Sequence, residues 1–229
     1  MTTNDKKIEI IQYLRSWYKQ NARDLPWRKT HDPYLIWVSE IMLQQTRVET
    51  VIPFYERWSK QFPTLISLAR ADQDQVLNLW EGLGYYSRAL NVHKTAQILF
   101  SQFGGELPRD AKALQALPGI GKYTAGAILS IAYNIPAPIL DGNIRRVFTR
   151  IFNIDTPIKT TETEKVLWQI AADLLPEEDP GEFNQALMEL GALLCLPKNP
   201  HCNHCPVNEF CQANILNMQS ALPVKKDKP

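Results

Sequence analysis

The sequence predicts an all-α protein, and three observations carry that expectation. Apolar residues recur at intervals of three and four through almost every segment, as in QVLNLWEGL and ALNVHKTAQILF. No stretch keeps up the period-two alternation of a half-buried strand. The 16 prolines fall mostly between periodic runs, as in NIPAPIL and DTPIK, and so mark boundaries. About ten helices with short connections are expected from this punctuation.

The first segment, MTTNDKKIEIIQYLRSWY, interleaves charged and apolar residues and reads as an amphipathic helix rather than a signal peptide. Further on, Asp72 to Gln75 and Thr161 to Glu164 each fit a capping box, and Asp110 stands where it can cap AKALQAL. The ending ALPVKKDKP loses all periodicity and reads as a tail or a cut linker. With 229 residues, 45% hydrophobic and 21% charged, the chain has ample core and no sign of disorder. No apolar run approaches the roughly 18 residues of a membrane helix. A soluble cytoplasmic monomer with no targeting signal and no membrane partner is expected.

The net charge of +1 does not advertise nucleic acid, but charge is unevenly spread. Residues 160–189 hold eight acids (Glu162, Glu164, Asp173, Glu177, Glu178, Asp179, Glu182, Glu189) against Lys165 alone. NIRRVFTR holds Arg145, Arg146 and Arg150 with no acid. One acidic and one basic face let a near-neutral protein bind a polyanion, although solvated helix surfaces account for either run as well.

The four cysteines are Cys195, Cys202, Cys205 and Cys211, spaced C-x6-C-x2-C-x5-C. Clustering of this kind points to metal rather than to disulfides. Four thiolates suit tetrahedral zinc or an iron–sulfur cluster, and one CxxC flanked by longer arms favours the larger body, a 4Fe–4S cluster. His201 and His204 keep a mixed Cys/His zinc site open. Lys198, between prolines in CLPKNPHC, can meet a phosphate or lie on the surface.

LPGIG, residues 117–121, reads as a helix–hairpin–helix in which Gly119 and Gly121 permit conformations and approaches that a side chain would block. The helix that follows opens with Lys122 and Tyr123 and offers its N–H groups to a phosphate; a purely structural hairpin is the competing account. In PAPILDGNIRRVFTR, Asp141 precedes a helix whose dipole favours the ionised carboxylate. An N-cap is its ordinary role, yet a carboxylate beside a phosphate-binding element suggests chemistry. In PYLIWVSEIMLQQT, a helical Glu40 shares a face with Ile36, Trp37 and Leu43, where desolvation raises its pKa. One ionised Asp and one protonatable Glu are the pair that breaks glycosidic bonds.

The hairpin LPGIG, the aspartate in LDGN and the terminal cysteine pattern together resemble the endonuclease III superfamily of base-excision DNA glycosylases. RDLPWR, SEIMLQQT and GLGYYSR narrow the resemblance to adenine glycosylases of the MutY family, from about Arg23 to Cys211. The resemblance implies two helical lobes with DNA bound in a cleft between them. Residues 27–135 would be a six-helix barrel with the hairpin, residues 1–26 and 136–215 the iron–sulfur lobe, and residues 216–229 a tail or truncated linker. Where lyase members carry a Schiff-base lysine this chain has Tyr123, and Lys122 is one position out of register, about 100° round the helix.

The implied chemistry is monofunctional removal of adenine mispaired with 8-oxoguanine or guanine in double-stranded DNA. Glu40 protonates the base and then activates water. Asp141, oriented by Asn143 and supported by Tyr123, stabilises the oxocarbenium-like sugar. Arg23, Trp27, Leu43 and Gln185 would line the adenine pocket, with Gln45 and Tyr85 in the stack near the partner base. Gly119, Gly121, Lys122 and Lys198 would contact the DNA backbone, and the carbonyls of Leu117 to Gly121 could hold a cation. Family members continue into a domain that helps recognise 8-oxoguanine; this chain stops in what resembles the linker, so weaker 8-oxoguanine discrimination is expected. A bifunctional pyrimidine glycosylase/lyase, a thymine-mismatch glycosylase and a non-catalytic iron–sulfur DNA-binding or redox module are the alternatives.

Overall fold

The structure is a computed structural model and describes residues 3–225. Residues 226–229, the end of the segment read as a tail, and residues 1–2, the start of the segment read as an amphipathic helix, lie outside the described residues. Twelve α-helices and no strand occur among the described residues. In chain order they are α1 (Thr3–Asn21), α2 (Pro33–Met42), α3 (Val48–Gln61), α4 (Leu65–Ala69), α5 (Gln73–Trp80), α6 (Ser87–Gln102), α7 (Ala111–Gln115), α8 (Lys122–Ala127), α9 (Gly142–Ile151), α10 (Thr161–Leu174), α11 (Pro180–Leu193) and α12 (Gln212–Ile215). They form two compact units, residues 24–134 and residues 1–23 with 135–229.

Unit 24–134 contains α2 to α8. Asp32 starts α2 by accepting from Tyr34 N at 2.8 Å, with Pro33 preset for the first turn. Asp110 caps α7 through Ala113 N at 2.8 Å, and Gln75 accepts from Asp72 N at 3.2 Å, as the sequence predicts for both. Trp37, Trp58 and Trp80 are fully buried, and Trp58 meets Trp80 edge-on at 5.6 Å between centroids. Such pairs add about 1 kcal/mol to the burial of the rings themselves. Trp58 Nε1 donates to Tyr34 Oη, which donates to the carbonyl of Phe62, so both buried polar tips are satisfied.

In the other unit α11 packs on α1 and α9. α11 comes close to α9 at Gly191, where an added Cβ would stand 2.6 Å from the Cβ of Asn143. The capping box expected at Thr161 is displaced by one residue: Thr160 accepts from Thr163 N at 3.3 Å, and Glu164 is drawn instead to Arg145 at 2.7 Å. Adjacent threonines left the cap ambiguous in sequence. NIRRVFTR forms neither of the two alternatives its charge left open, a basic face or a solvated helix surface, because α9 turns Arg146 and Arg150 inward and Arg145 is paired. Asp179 and Glu182 from the acidic run pair with Arg15 at 2.8 and 2.7 Å. Leu222 is buried and the carbonyl of Val224 accepts from Ile158 N at 3.0 Å, which ties the chain's last described residues to this unit. No helix among the described residues is long and apolar enough to cross a membrane.

Candidate active site

Glu40 lies in the last turns of α2 and is 5% exposed, with Trp37 buried beside it. Leu43, half-buried, ends the same helix. The hairpin brings α8 to this face, and Tyr123 Oη donates to Glu40 Oε2 at 2.6 Å. Lys122, next to Tyr123 in sequence, is exposed. The Tyr123 hydroxyl thereby fixes the orientation of the Glu40 carboxyl. Trp27 is buried in the same unit, edge-on to Tyr55 at 5.5 Å.

The two hairpin glycines differ. Gly119 has φ +78°, and an added Cβ would meet Asn91 Cβ at 2.9 Å, so both its conformation and its surroundings require glycine. Gly121 has φ −89° and open space where a Cβ would be, so the steric need expected of it is absent. Glycine there leaves the start of α8 uncovered. The carbonyls of Leu117, Pro118 and Gly121 accept from Ile120 N at 3.2 Å, Thr95 Oγ1 at 2.8 Å and Ala125 N at 2.9 Å, and each keeps a second lone pair for a cation.

Asp141 belongs to the other unit, where its Oδ1 accepts from Ile144 N at 2.7 Å as the N-cap of α9. Burial pushes its carboxyl above the usual range, although the Ile144 N–H, the Arg146 cation and Asn143 pull the other way. The N-terminus of α9 favours the ionised form, as the sequence argument expects, and desolvation outweighs it. Asn143 Oδ1 accepts from Arg146 Nη2 at 2.8 Å, and Arg146 Nε donates to the Cys195 carbonyl at 2.7 Å.

Arg23 is anchored by an acid that sequence reasoning missed. Its backbone N and its Nε donate to Glu189 Oε1 at 2.8 and 2.9 Å, and its Nη2 to Oε2 at 2.7 Å. Glu189 is fully buried in α11, one turn beyond Gln185, whose Oε1 accepts from Tyr18 Oη at 3.3 Å. The available signal was the one that marked Glu40, a carboxylate among apolar residues at helical spacing in ALMELGALL.

All four cysteines line one cavity of about 20 Å³ together with Val147, Arg150 and Ile151, while His201 and His204 stand outside its lining. Burial raises the Cys202, Cys205 and Cys211 thiols, Cys205 to about 12, and the Cys195 charge adds to the rise. Arg150, 1% exposed, donates to Cys195 Sγ at 3.4 Å and to the Leu196 carbonyl at 2.7 Å. Among the described residues no three His, Cys, Asp or Glu side chains converge on the position of a single metal ion; the four cysteines instead border a common space. Lys198 is exposed in the loop that Arg150 secures at Leu196 and Pro197.

Gln45 and Tyr85 are exposed, on the two connections that follow α2 and precede α6. Thus Glu40, Tyr123, Trp27, Leu43, Gln45, Tyr85 and the hairpin lie in unit 24–134. Arg23, Asp141, Asn143, Gln185, Lys198 and the cysteines lie in the other.

Comparison with known proteins agrees with the resemblance read from the motifs. Residues 38–173 match the HhH-GPD superfamily base excision DNA repair protein family. An adenine DNA glycosylase of Buchnera aphidicola subsp. Baizongia pistaciae is 46% identical over 222 residues, covering 96% of this chain and 63% of that one. One from Rattus norvegicus is 46% identical over 226 residues, covering 93% of this chain and 44% of that one. The chain thus spans about half to just under two thirds of these relatives. Among solved structures, a thermostable thymine-DNA glycosylase has a TM-score of 0.85 and 29% identity, covering 93% of this chain and 99% of that one. An endonuclease III–DNA complex has a TM-score of 0.76 at 22% identity, which supports the fold. The chain belongs to the HhH-GPD superfamily of base excision DNA repair proteins.

Proposed function

We propose that this chain is a monofunctional DNA glycosylase that hydrolyses the N-glycosidic bond of adenine mispaired with 8-oxoguanine or guanine. The observation that carries the reading is the 2.6 Å hydrogen bond from Tyr123 to Glu40, with Lys122 exposed beside it. A phenol cannot form the Schiff base by which an amine cuts the strand, whereas it can hold a general acid in place. The adenine glycosylase names of the 46%-identical relatives supply the base.

In this reading the adenine leaves the duplex at a cost of a few kcal/mol, which a mispair lowers. Glu40 gives its proton to a ring nitrogen, and the base departs with the glycosidic electron pair. Asp141, ionised, faces the positive charge that develops on the sugar and can bond to it briefly. Glu40 then takes a proton from the water that attacks the sugar carbon. Asn143 orients Asp141, and Arg23, Trp27, Leu43 and Gln185 contact the base. Gly121, Lys122 and Lys198 meet the DNA backbone, with Gly119 shaping the turn that presents them.

Cys195, Cys202, Cys205 and Cys211 would hold a 4Fe–4S cluster, since the four half-buried or buried cysteines line one cavity and Arg150 directs an N–H at one of them. The cluster would cross-link residues 195–211 and would compensate the charge of the thiolates, releasing the protons that burial otherwise keeps on the thiols.

The test is a single-turnover assay on adenine opposite 8-oxoguanine and opposite guanine, each sample divided between alkali and no alkali. Strand breaks only after alkali are expected; equal breaks without alkali would mean that an amine reaches the sugar. Glu40→Gln should lower the rate by about a hundredfold or more. A second reading, thymine removal, is favoured by the thymine-DNA glycosylase match at TM-score 0.85. A thymine–guanine duplex in the same assay decides between them.

A further inference from the structure

Two exposed residues of unit 24–134 adopt backbone conformations that bulky side chains rarely take. Gln45 has φ 58° and Tyr85 has φ 48°, and Tyr85 is 58% exposed. Such values persist only where the surroundings over-determine them. One side chain underlies both segments. Arg88, 8% exposed at the start of α6, donates through Nη1 to the carbonyls of Ile41 at 2.9 Å, Met42 at 2.8 Å and Gln44. Through Nη2 it donates to Thr46 Oγ1 at 3.1 Å and to the carbonyls of Leu83 at 3.3 Å and Gly84 at 3.2 Å. Its partners therefore include both neighbours of Gln45 and the two residues before Tyr85. Trp80 Nε1 adds a bond to the Gly84 carbonyl at 3.0 Å, and the guanidinium carbon lies 5.5 Å from the Tyr85 ring centroid.

We propose that Arg88 is a positioning residue that sets Gln45 and Tyr85 as a pair, so that together they read the base opposite the adenine. The proposal rests on the proposed function and on the expectation, implied by the resemblance, that Gln45 and Tyr85 stand near the partner base. A guanidinium is a rigid plane with donors on separate nitrogens, and here one nitrogen serves the Gln44 side while the other spans to Leu83 and Gly84. A shift in one segment therefore re-aims the other. The ammonium of lysine has its three donors on one flexible nitrogen and cannot hold two segments in a fixed relation.

Arg88→Lys tests this, with Thr46→Val as a milder variant that removes one Nη2 contact should the lysine variant fail to fold. Two quantities are read: amide hydrogen exchange over residues 43–47 and 82–86, and the ratio of single-turnover rates for adenine opposite 8-oxoguanine and opposite guanine. Both segments should exchange faster together, by on the order of tenfold, with a comparable fall in the ratio, while α3 keeps its protection. For Thr46→Val the same paired change should be smaller. Faster exchange in one segment alone, or in neither, overturns the coupling. Faster exchange in both with the ratio unchanged, or an unmodified protein with a ratio of one, overturns the role in reading the partner base. Absence of adenine release from the unmodified protein is the failure of the functional reading and removes the partner-base role with it; the exchange data still decide the coupling.

Discussion

Replacing Glu189 by alanine would leave the Arg23 guanidinium facing a buried gap where three hydrogen bonds had been. Removing one partner of a buried ion pair costs about 3 kcal/mol, and Arg23 keeps 30% of its side chain in solvent, which places the loss at the low end of that range. Chemical denaturation should show that loss, and adenine release should slow as Arg23 leaves its place. Asp141 gives the opposite stability effect. Burial raises its folded pKa, so carrying it ionised costs the native state stability above that pKa, and the cost disappears as pH falls through the folded pKa towards the unfolded value. Asp141→Asn, which keeps an N-cap acceptor, should therefore raise the melting temperature at pH 8, with the difference shrinking towards pH 4, while abolishing adenine release. A variant that melts lower at pH 8 would contradict this sign. Glu40, Tyr123 and Asp141 stood out in the sequence as candidates because motifs surround them. Glu189 and Arg88 were not, since their importance lies in partners distant in sequence.

At the scale of elements, the hairpin separates what the fold requires from what a ligand would. Gly119→Ala forces a Cβ into a left-handed residue and against Asn91, and should cost about 2 kcal/mol in chemical denaturation. Gly121→Ala meets nothing and should change stability by no more than about 0.5 kcal/mol. If the start of α8 docks on a phosphate, that second variant should still weaken DNA binding at fixed salt; unchanged affinity would remove Gly121 from the interface. Sequence treated the two glycines alike because backbone angles are not visible in it. Caps were read correctly where an acid stood alone, at Asp72 and Asp110, and missed by one where threonines adjoin, at Thr160 and Thr161. The arginines of α9 show the same limit, since sequence marks their charge but not the helix face they occupy.

For the whole molecule, the helical class followed from period alone, because a 3.6-residue repeat leaves little room for sheet. How charge is used did not follow from composition. The acids of residues 160–189 are partly spent on Arg15, Arg23 and Arg145, so the net charge of +1 hides ion pairing inside one unit rather than two opposed faces. That unit is also where cluster loss should be felt. Cys195 follows α11, Cys211 precedes α12, and Arg150 carries the contact to α9. Stripping iron from the purified protein by oxidation and chelation should therefore speed amide exchange in residues 190–215 and α9 by on the order of tenfold or more. Residues 33–127 bury three tryptophans of their own, and their exchange should stay within about twofold. Iron and sulfide analysis before stripping should give about four of each per chain. Equal loss of protection across both regions would mean that the chain unfolds as one cooperative body, and unchanged protection everywhere would mean that the thiols hold no structural metal. The selective outcome follows from where the cysteines stand: all four lie in one unit, where the proposed cluster would tie residues 195–211 to α9, whereas the other unit closes on packed rings alone.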